Sequence, residues 1–268
     1  MCKTYQQFSI FRFFFGIYLF YHFYELLPYS KELFTGEGMI SAPNLIPTWI
    51  IFPALKFIDS NIETFMCALM VCSLLLCFGI RQFESSLVLW YGWAYLINRN
   101  IFMSNPGIPY VGLFLLVCAI FPNSKSKWNN NWVSIHWVVW FLMAMGYTVS
   151  GIHKLQCQSW LDGTALLHVM NSPLARDTAI LHWVLEMPLF FIQLATWGSL
   201  ALEMSVLPIG IFYYARPFYW FALVAMHIGV IVLINFTDLT LGMLMVHLFT
   251  FDPDWLCDLE WLRISKKN

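Results

Sequence analysis

Residues 132–152 read WVSIHWVVWFLMAMGYTVSGI and are followed at once by His153 and Lys154. This apolar run contains no Asp, Glu, Lys or Arg, and it has the length of about 20 residues that an α-helix needs to cross a bilayer. Backbone N–H and C=O groups find no water in the bilayer core, so a spanning segment must form its hydrogen bonds internally, as a helix does. The run therefore predicts a transmembrane helix.

The composition of the whole chain agrees with this prediction. Of the 268 residues, 60% are hydrophobic and 11% are charged, and the mean hydropathy is +0.67. Soluble domains have about a quarter of their residues charged. The formal net charge is -1 and the basic residues are dispersed, which argues against nucleic acid as a partner.

Apolar runs bounded by charged or Pro-rich breaks predict an all-α fold, a polytopic helical transmembrane bundle of about eight spans plus interfacial helices. The segment 48–58, broken by Pro47 and Pro53, is predicted as an interfacial or re-entrant helix. The eight predicted spans lie near 7–27, 62–80, 85–101, 107–122, 132–154, 180–207, 217–236 and 238–252.

The distribution of Lys and Arg predicts the orientation of these spans. With eight crossings, nine of the 14 basic residues fall on the side of both termini and five on the other side. Cytoplasmic loops carry the excess of basic residues, so both termini are predicted in the cytoplasm. Residues 1–257 are interpreted as one membrane domain, residues 258–268 as a cytoplasmic tail, and the location as a bacterial inner membrane.

Cysteine spacing gives no metal or redox motif. Cys67, Cys72 and Cys77 recur every five residues, so on a helix they point about 140° apart and cannot ligate one ion. The other four cysteines are isolated, without a C-x-x-C pair. No metal site is predicted.

Ionisable residues within apolar spans usually face the bundle interior, where they mark functional sites or structural pairs. His182 and Glu186 are spaced i,i+4 and share a helix face, and either an interfacial pair without chemistry or a site explains them. Glu203 and Arg216 are predicted to form a structural ion pair across a short turn. His136 and His247, near the inner interface, are given structural positions, and His168 is given a surface position.

Lys154 follows the apolar run 132–152, and Gly146 and Gly151 before it would let another helix or a ligand come close. Desolvation favours the neutral amine of a lysine, which can then act as a base. The alternative is that Lys154 extends to the membrane surface and has no chemical role.

The stretch 147–163, YTVSGIHKLQCQSWLDG, resembles the segment Y-x-x-(A/S)-G-x-x-K-(L)-x-x-x-x-W-x-(D/E)-G of vitamin K-dependent gamma-carboxylases and their bacterial relatives. These proteins form the horizontally transferred transmembrane (HTTM) domain family. Glu203, Arg216 and His227 are similar to the acidic residue, basic turn and membrane histidine of that family, and FTFDPDW at 249–255 is similar to its closing segment. On this resemblance the chain is identified as a minimal, bacterial-type member of the family.

The resemblance implies a quinol-dependent enzyme in which Lys154 is the base and His227 orients a quinol oxygen. Oxygen would convert the ionised quinol into a strong base on the way to an epoxide, and this base would remove a proton from a substrate to which CO2 adds. A monooxygenase or epoxidase that oxidises its substrate instead is the other reaction that the resemblance leaves open. Reduced vitamin K or menaquinol is the implied cofactor, O2 and CO2 are co-substrates, and no metal is involved. The implied pocket residues are His153, Trp160, Asp162, Gly163, His182, Glu186 and Asn105.

Two departures from the family pattern bear on the substrate. The carboxylases carry a large lumenal region after the membrane domain, whereas this sequence ends about a dozen residues after Trp255, so a small or peptide substrate at the outer face is expected. A carboxylase histidine has no counterpart in SNPGIPYVG at 104–112, where Pro106 or Gly107 stands. The alternative function is a non-catalytic membrane partner in the maturation or export of a secreted peptide. A lipid or quinone transporter is a weaker alternative, because no paired broken half-helices are apparent.

Overall fold

The computed structural model describes residues 2–39, 56–123 and 131–255, and in these ranges the chain is helical. The regular pairing of extended backbone is limited there to one antiparallel bridge between Ala175 and Ile234. The interfacial helix predicted at 48–58 lies mostly outside the described residues, as does the tail 258–268. The helices are α1 Cys2–Leu26, α2 Ser30–Phe34, α3 Lys56–Ser60, α4 Ile62–Phe78, α5 Gln82–Arg99, α6 Ile108–Ile120, α7 Asn131–Lys154, α8 Gln158–Leu161, α9 Ala165–Met170, α10 Ala179–Leu185, α11 Leu189–Gly210, α12 Arg216–Leu233 and α13 Thr237–Thr250.

Four helical segments among the described residues are long and apolar enough to cross a membrane: Thr4–Phe34, Trp132–Lys154, Leu189–Gly210 and Tyr213–Leu233. One side of α7 is apolar and exposed, as expected of a helix in contact with lipid. Apart from the adjacent pair Trp137 and Val138, its exposed apolar residues recur every three or four positions: Val133, Trp137, Val138, Phe141, Met145, Val149 and Ile152.

The other predicted spans form helices that are shorter or more polar. Helix α6 has 13 residues, α13 has 14 and α4 has 17, and at 1.5 Å per residue each is shorter than the roughly 30 Å hydrocarbon core. The single span predicted at 180–207 is wrong in one respect. The chain breaks between α10 and α11 at Pro188, which has extended backbone and no N–H to continue a helix.

Residues Met1–Asn129 form the first of two compact units. Helix α1 packs along α4, α4 on α5, and α5 on α6. The core of this unit is aromatic: Phe11 and Phe15 stack at 5.3 Å between ring centroids, and both meet Phe114 of α6 edge-on. Gly16 permits the close approach of α1 to α4, because a Cβ there would lie 2.8 Å from the Ser73 carbonyl oxygen.

The buried Arg12 of this unit is surrounded by amide and carbonyl groups. Its guanidinium donates to the side-chain oxygens of Gln82, at 2.7 Å, and Asn123. Gln82 in turn donates to the carbonyl oxygens of Cys118 and Phe121 at the end of α6. Arg12 is thereby linked through Gln82 to the carbonyl end of α6, near which a positive charge is favoured.

Residues Asn130–Asn268 form the second unit. Here α7 packs against α11 and α13, α12 packs against both α11 and α13, and the short helices α8 and α9 lie on α11. Met170, Leu181 and Ile192 form a small apolar cluster that joins α9, α10 and α11. All residues of the segment 147–163 and of its predicted flanks up to Trp255 belong to this unit.

Candidate functional site

Lys154, at the end of α7, forms an ion pair with Glu203 of α11. Its Nζ lies 2.6 Å from both Glu203 Oε1 and Oε2. The Glu203 side chain is 6% exposed and that of Lys154 is 25% exposed, so the pair is largely withdrawn from the surface. Breaking such a pair by removing one partner leaves an uncompensated buried charge, which is costly.

Local structure explains why the two charges meet. A Cβ at Gly151 would lie 2.6 Å from Met204 Cγ and 3.1 Å from Met204 N, so only glycine lets α7 and α11 approach this closely. One turn farther along α7 and one residue earlier on α11, Lys154 reaches Glu203. The close approach predicted at Gly151 is confirmed.

Thr148 fixes the helix backbone at the same level. Its hydroxyl donates to the Glu203 carbonyl oxygen at 3.4 Å and accepts from the Leu207 N–H at 3.3 Å. In a regular helix these two backbone groups pair with each other, so Thr148 bridges a bond of α11 itself. Pro208 follows directly inside α11 and has no N–H to give to the helix. Hydrogen bonds from Thr148 of α7 therefore stabilise the turn of α11 that carries Glu203.

Trp160 covers the lysine. The Lys154 Nζ lies 4.5 Å from the centroid of the Trp160 ring, within cation–π distance. The following turn is tied to α11, because Gln193 Nε2 donates to the Asp162 carbonyl and Trp197 Nε1 to the Leu161 carbonyl, both at 3.1 Å. Gly163 has φ +80 and lies against Trp197 and Gln193, where a Cβ would be about 3 Å away.

Asp162 belongs to this turn and is exposed. Its Oδ1 accepts from the hydroxyl of Thr164 at 2.6 Å and from the Thr164 N–H at 3.0 Å. These hydrogen bonds favour the charged carboxylate and lower the pKa of Asp162 below its usual value. The Asp162 carboxylate therefore stabilises the turn after α8. It takes no part in the Lys154–Glu203 ion pair.

A second polar cluster joins three helices of the same unit. The Tyr147 hydroxyl lies 2.6 Å from His227 Nε2 of α12 and 2.8 Å from His247 Nε2 of α13. All three side chains are buried. The Trp220 Nε1 also donates to the His247 carbonyl oxygen at 2.7 Å, which links α12 to α13.

The two clusters share helix α7. Tyr147 and Lys154 are seven residues apart on α7, two turns on the same face, and therefore about 10 Å apart along the axis. The second unit thus gathers an acid, a base and a hydrogen-bonded aromatic group from α7, α11, α12 and α13.

The ion pair predicted between Glu203 and Arg216 is wrong. Glu203 binds Lys154, whereas the Arg216 guanidinium donates to the carbonyl oxygens of Gly210 and Ile211, each at 2.9 Å. It also lies 4.0 Å from the ring centroid of Trp137. Arg216 therefore neutralises the carbonyl end of α11 instead of the carboxylate near its middle.

Several predicted pocket residues take no part in the Lys154–Glu203 pair. His182 is exposed and its Nε2 pairs with Asp177 at 2.8 Å, and Glu186 and His153 are also exposed. Asn105 belongs to the first unit, where its side-chain oxygen accepts from the Gly107 N–H at 2.9 Å. His168 is exposed as predicted.

Sequence reasoning missed the partner of Lys154 and the chemical context of Tyr147 and His247. A usable signal was present for Tyr147, because its spacing of seven residues puts it on the face of Lys154. His247 was assigned a structural position because nothing in a single sequence shows that α13 returns beside α7.

Among the described residues, no three His, Cys, Asp or Glu side chains come together in a way that could hold a metal ion. In the comparisons with known proteins, no family model, no curated protein and no solved structure matches this chain.

Proposed function

We propose that this protein is a quinol- and oxygen-dependent membrane enzyme of the vitamin K-dependent gamma-carboxylase type, a minimal member of the HTTM family. Lys154 is the base that ionises the quinol. The observation that carries the proposal is the Lys154–Glu203 pair, a lysine and a carboxylate in contact within a bundle of apolar helices. Such pairs inside membrane segments are costly and mark functional sites more often than not.

Glu203 gives Lys154 a route to the basic form. A lysine ammonium must lose its proton before it can accept one, and the carboxylate in contact with Nζ is the nearest acceptor. Transfer of that proton leaves a neutral amine beside a neutral acid, with no isolated charge in the bilayer. The amine then takes the proton of a quinol hydroxyl.

The residues around Lys154 fit a quinol that enters from the lipid. Trp160 offers an aromatic face at the lysine, and His227, bound through Nε2 to Tyr147 two turns earlier on α7, has a second ring nitrogen, Nδ1. When bound, the ionised quinol would react with O2, and this oxidation would supply the strong base. The protein's own part is to deprotonate, to orient the ring and to exclude water, which would quench that base.

The proposal includes the membrane arrangement predicted from the sequence: eight crossings, one membrane domain, both termini in the cytoplasm of a bacterial cell, and the Lys154 end of α7 at the outer face. The substrate is then a small molecule or a peptide on that side, with CO2 as co-substrate. A secreted peptide fits this position.

The test is product formation by the purified protein in detergent or nanodiscs. Given menaquinol under air, the protein should form menaquinone epoxide, detected by mass spectrometry. Lys154→Ala should reduce the rate at least about 100-fold, because general-base catalysis contributes on that order. Lys31→Ala is the matched control, because Lys31 forms an exposed pair with Glu63 in the other unit.

Absence of epoxide, or an undiminished rate in Lys154→Ala, overturns the enzyme proposal. The non-catalytic alternative, a membrane partner in maturation or export of a secreted peptide, predicts copurification with another protein and full biological activity of Lys154→Ala.

A further inference from the structure

We propose that His247 and Tyr147 hold His227 in the tautomer that carries its proton on Nδ1, so that the cluster of Tyr147, His227 and His247 offers an N–H donor to a ligand oxygen. The ligand chemistry is an oxygen that accepts a hydrogen bond, such as that of an ionised quinol. This identity rests on the proposed function, whereas the tautomer does not. His247 and Tyr147 are positioning residues in this arrangement.

The hydroxyl of Tyr147 imposes a direction on the cluster. It lies between two imidazole Nε2 atoms, at 2.6 and 2.8 Å, and can donate its single proton to only one of them. The other nitrogen must therefore be protonated and donate to the tyrosine oxygen. The three side chains form a directed chain, and one histidine is a donor where the other is an acceptor.

The second nitrogen of each ring decides the direction. His247 Nδ1 is buried and has no hydrogen-bond partner among the described residues. A buried N–H without an acceptor is rarer and more costly than a nitrogen lone pair without a donor. His247 therefore keeps Nδ1 bare and carries its proton on Nε2, which donates to the Tyr147 oxygen.

The Tyr147 proton then goes to His227 Nε2, and the His227 proton must sit on Nδ1. In the described part of the chain, no side chain or carbonyl accepts a hydrogen bond from this Nδ1. The atom is nevertheless not completely buried, so a ligand can reach it. An N–H that is reachable and unused suits an electron-rich oxygen as its hydrogen-bond acceptor. The paired carboxylate of Glu203 is already engaged by Lys154.

The experiment is nitrogen NMR of the full-length protein with 15N-labelled histidine in nanodiscs, with each ring assigned by single His→Gln variants. The expected result is His227 protonated on Nδ1 and His247 protonated on Nε2. Tyr147→Phe should remove the fixed Nδ1–H form of His227. His136→Gln is the matched control. His136 is a histidine of α7 that has no hydrogen bond to Tyr147, so its loss should leave the tautomers of His227 and His247 unchanged.

Any other assignment in the wild-type protein, including His227 protonated on Nε2 or on both nitrogens, overturns the inference. The wild-type spectrum decides this even if Tyr147→Phe does not fold. Added menaquinone, whose oxygens only accept hydrogen bonds, should shift the His227 Nδ1 signal. If the tautomers are as expected but menaquinone causes no shift and no epoxide forms, the proposed function fails and the tautomer assignment stands.

Discussion

At the scale of single residues, the defining feature is that every buried polar side chain of the site has a specific partner. Lys154 has Glu203, and Tyr147 has two histidines. Each of these contacts removes a desolvation cost that the side chain would otherwise bear in an apolar environment. The residues should therefore be coupled in stability as well as in chemistry.

Glu203→Gln should lower the free energy of unfolding by about 3 kcal/mol, because it leaves the Lys154 ammonium without a counter-charge. This is the low end of the range for buried pairs, since a quarter of the Lys154 side chain is exposed. Thermal unfolding in detergent, followed by tryptophan fluorescence, measures it. Glu63→Gln is the control, because its pair with Lys31 is exposed and should contribute little.

The double variant Lys154→Met with Glu203→Leu should recover most of that stability, because two apolar side chains replace both charges. It should remain inactive in epoxide formation. Stability restored together with activity would show that the pair is only structural.

Tyr147→Phe should cost about 1 to 3 kcal/mol, because it leaves two buried imidazole nitrogens without their common partner. Tyr95→Phe is the matched control in the first unit. The Tyr95 hydroxyl is buried and has no hydrogen-bond partner in the described ranges, so its removal should cost nothing. Equal losses of melting temperature in the two variants would contradict the assignment.

At the scale of helices, the site depends on how closely α7 and α11 pack. Gly151→Ala should separate them, because the new Cβ would meet Met204, and we expect a loss of about 1 to 3 kcal/mol together with reduced activity. Gly198→Ala is the same substitution on α11 where no atom lies within 4 Å of the new Cβ. It should be neutral or stabilising by up to about 1 kcal/mol, since alanine favours helix.

The helices themselves were largely predictable from sequence, and their contacts were not. Apolar runs located every long helix, because hydrophobicity and length determine whether a segment can be helical in a bilayer. The break at Pro188 was missed because a helix with one proline and an interrupted pair of helices have nearly the same hydropathy. The Lys154–Glu203 pair was missed because Arg216 is nearer to Glu203 in sequence, whereas Lys154 is nearer in space.

At the scale of the whole molecule, the number of crossings determines which side the segment after α7 faces. Eight spans with a cytoplasmic N-terminus put the exposed Cys157 outside the cell. If only the four long segments cross, the same residue lies in the cytoplasm. A variant whose only cysteine is Cys157 should react with a membrane-impermeant maleimide on intact cells, and protection until the cells are lysed would reject the eight-span arrangement.

Because α7 is synthesised before α11, we expect the ion pair to assist the insertion of α11 into the membrane. Helix α7 leaves the ribosome before α11, and Lys154 at its end can stay in the lipid headgroup region while the helix inserts. Glu203 lies about 20 Å from the start of α11, so this helix would enter the membrane with a carboxylate inside its apolar stretch. The lysine is already present when the carboxylate arrives. Insertion of α11 should thus depend on the helix made before it.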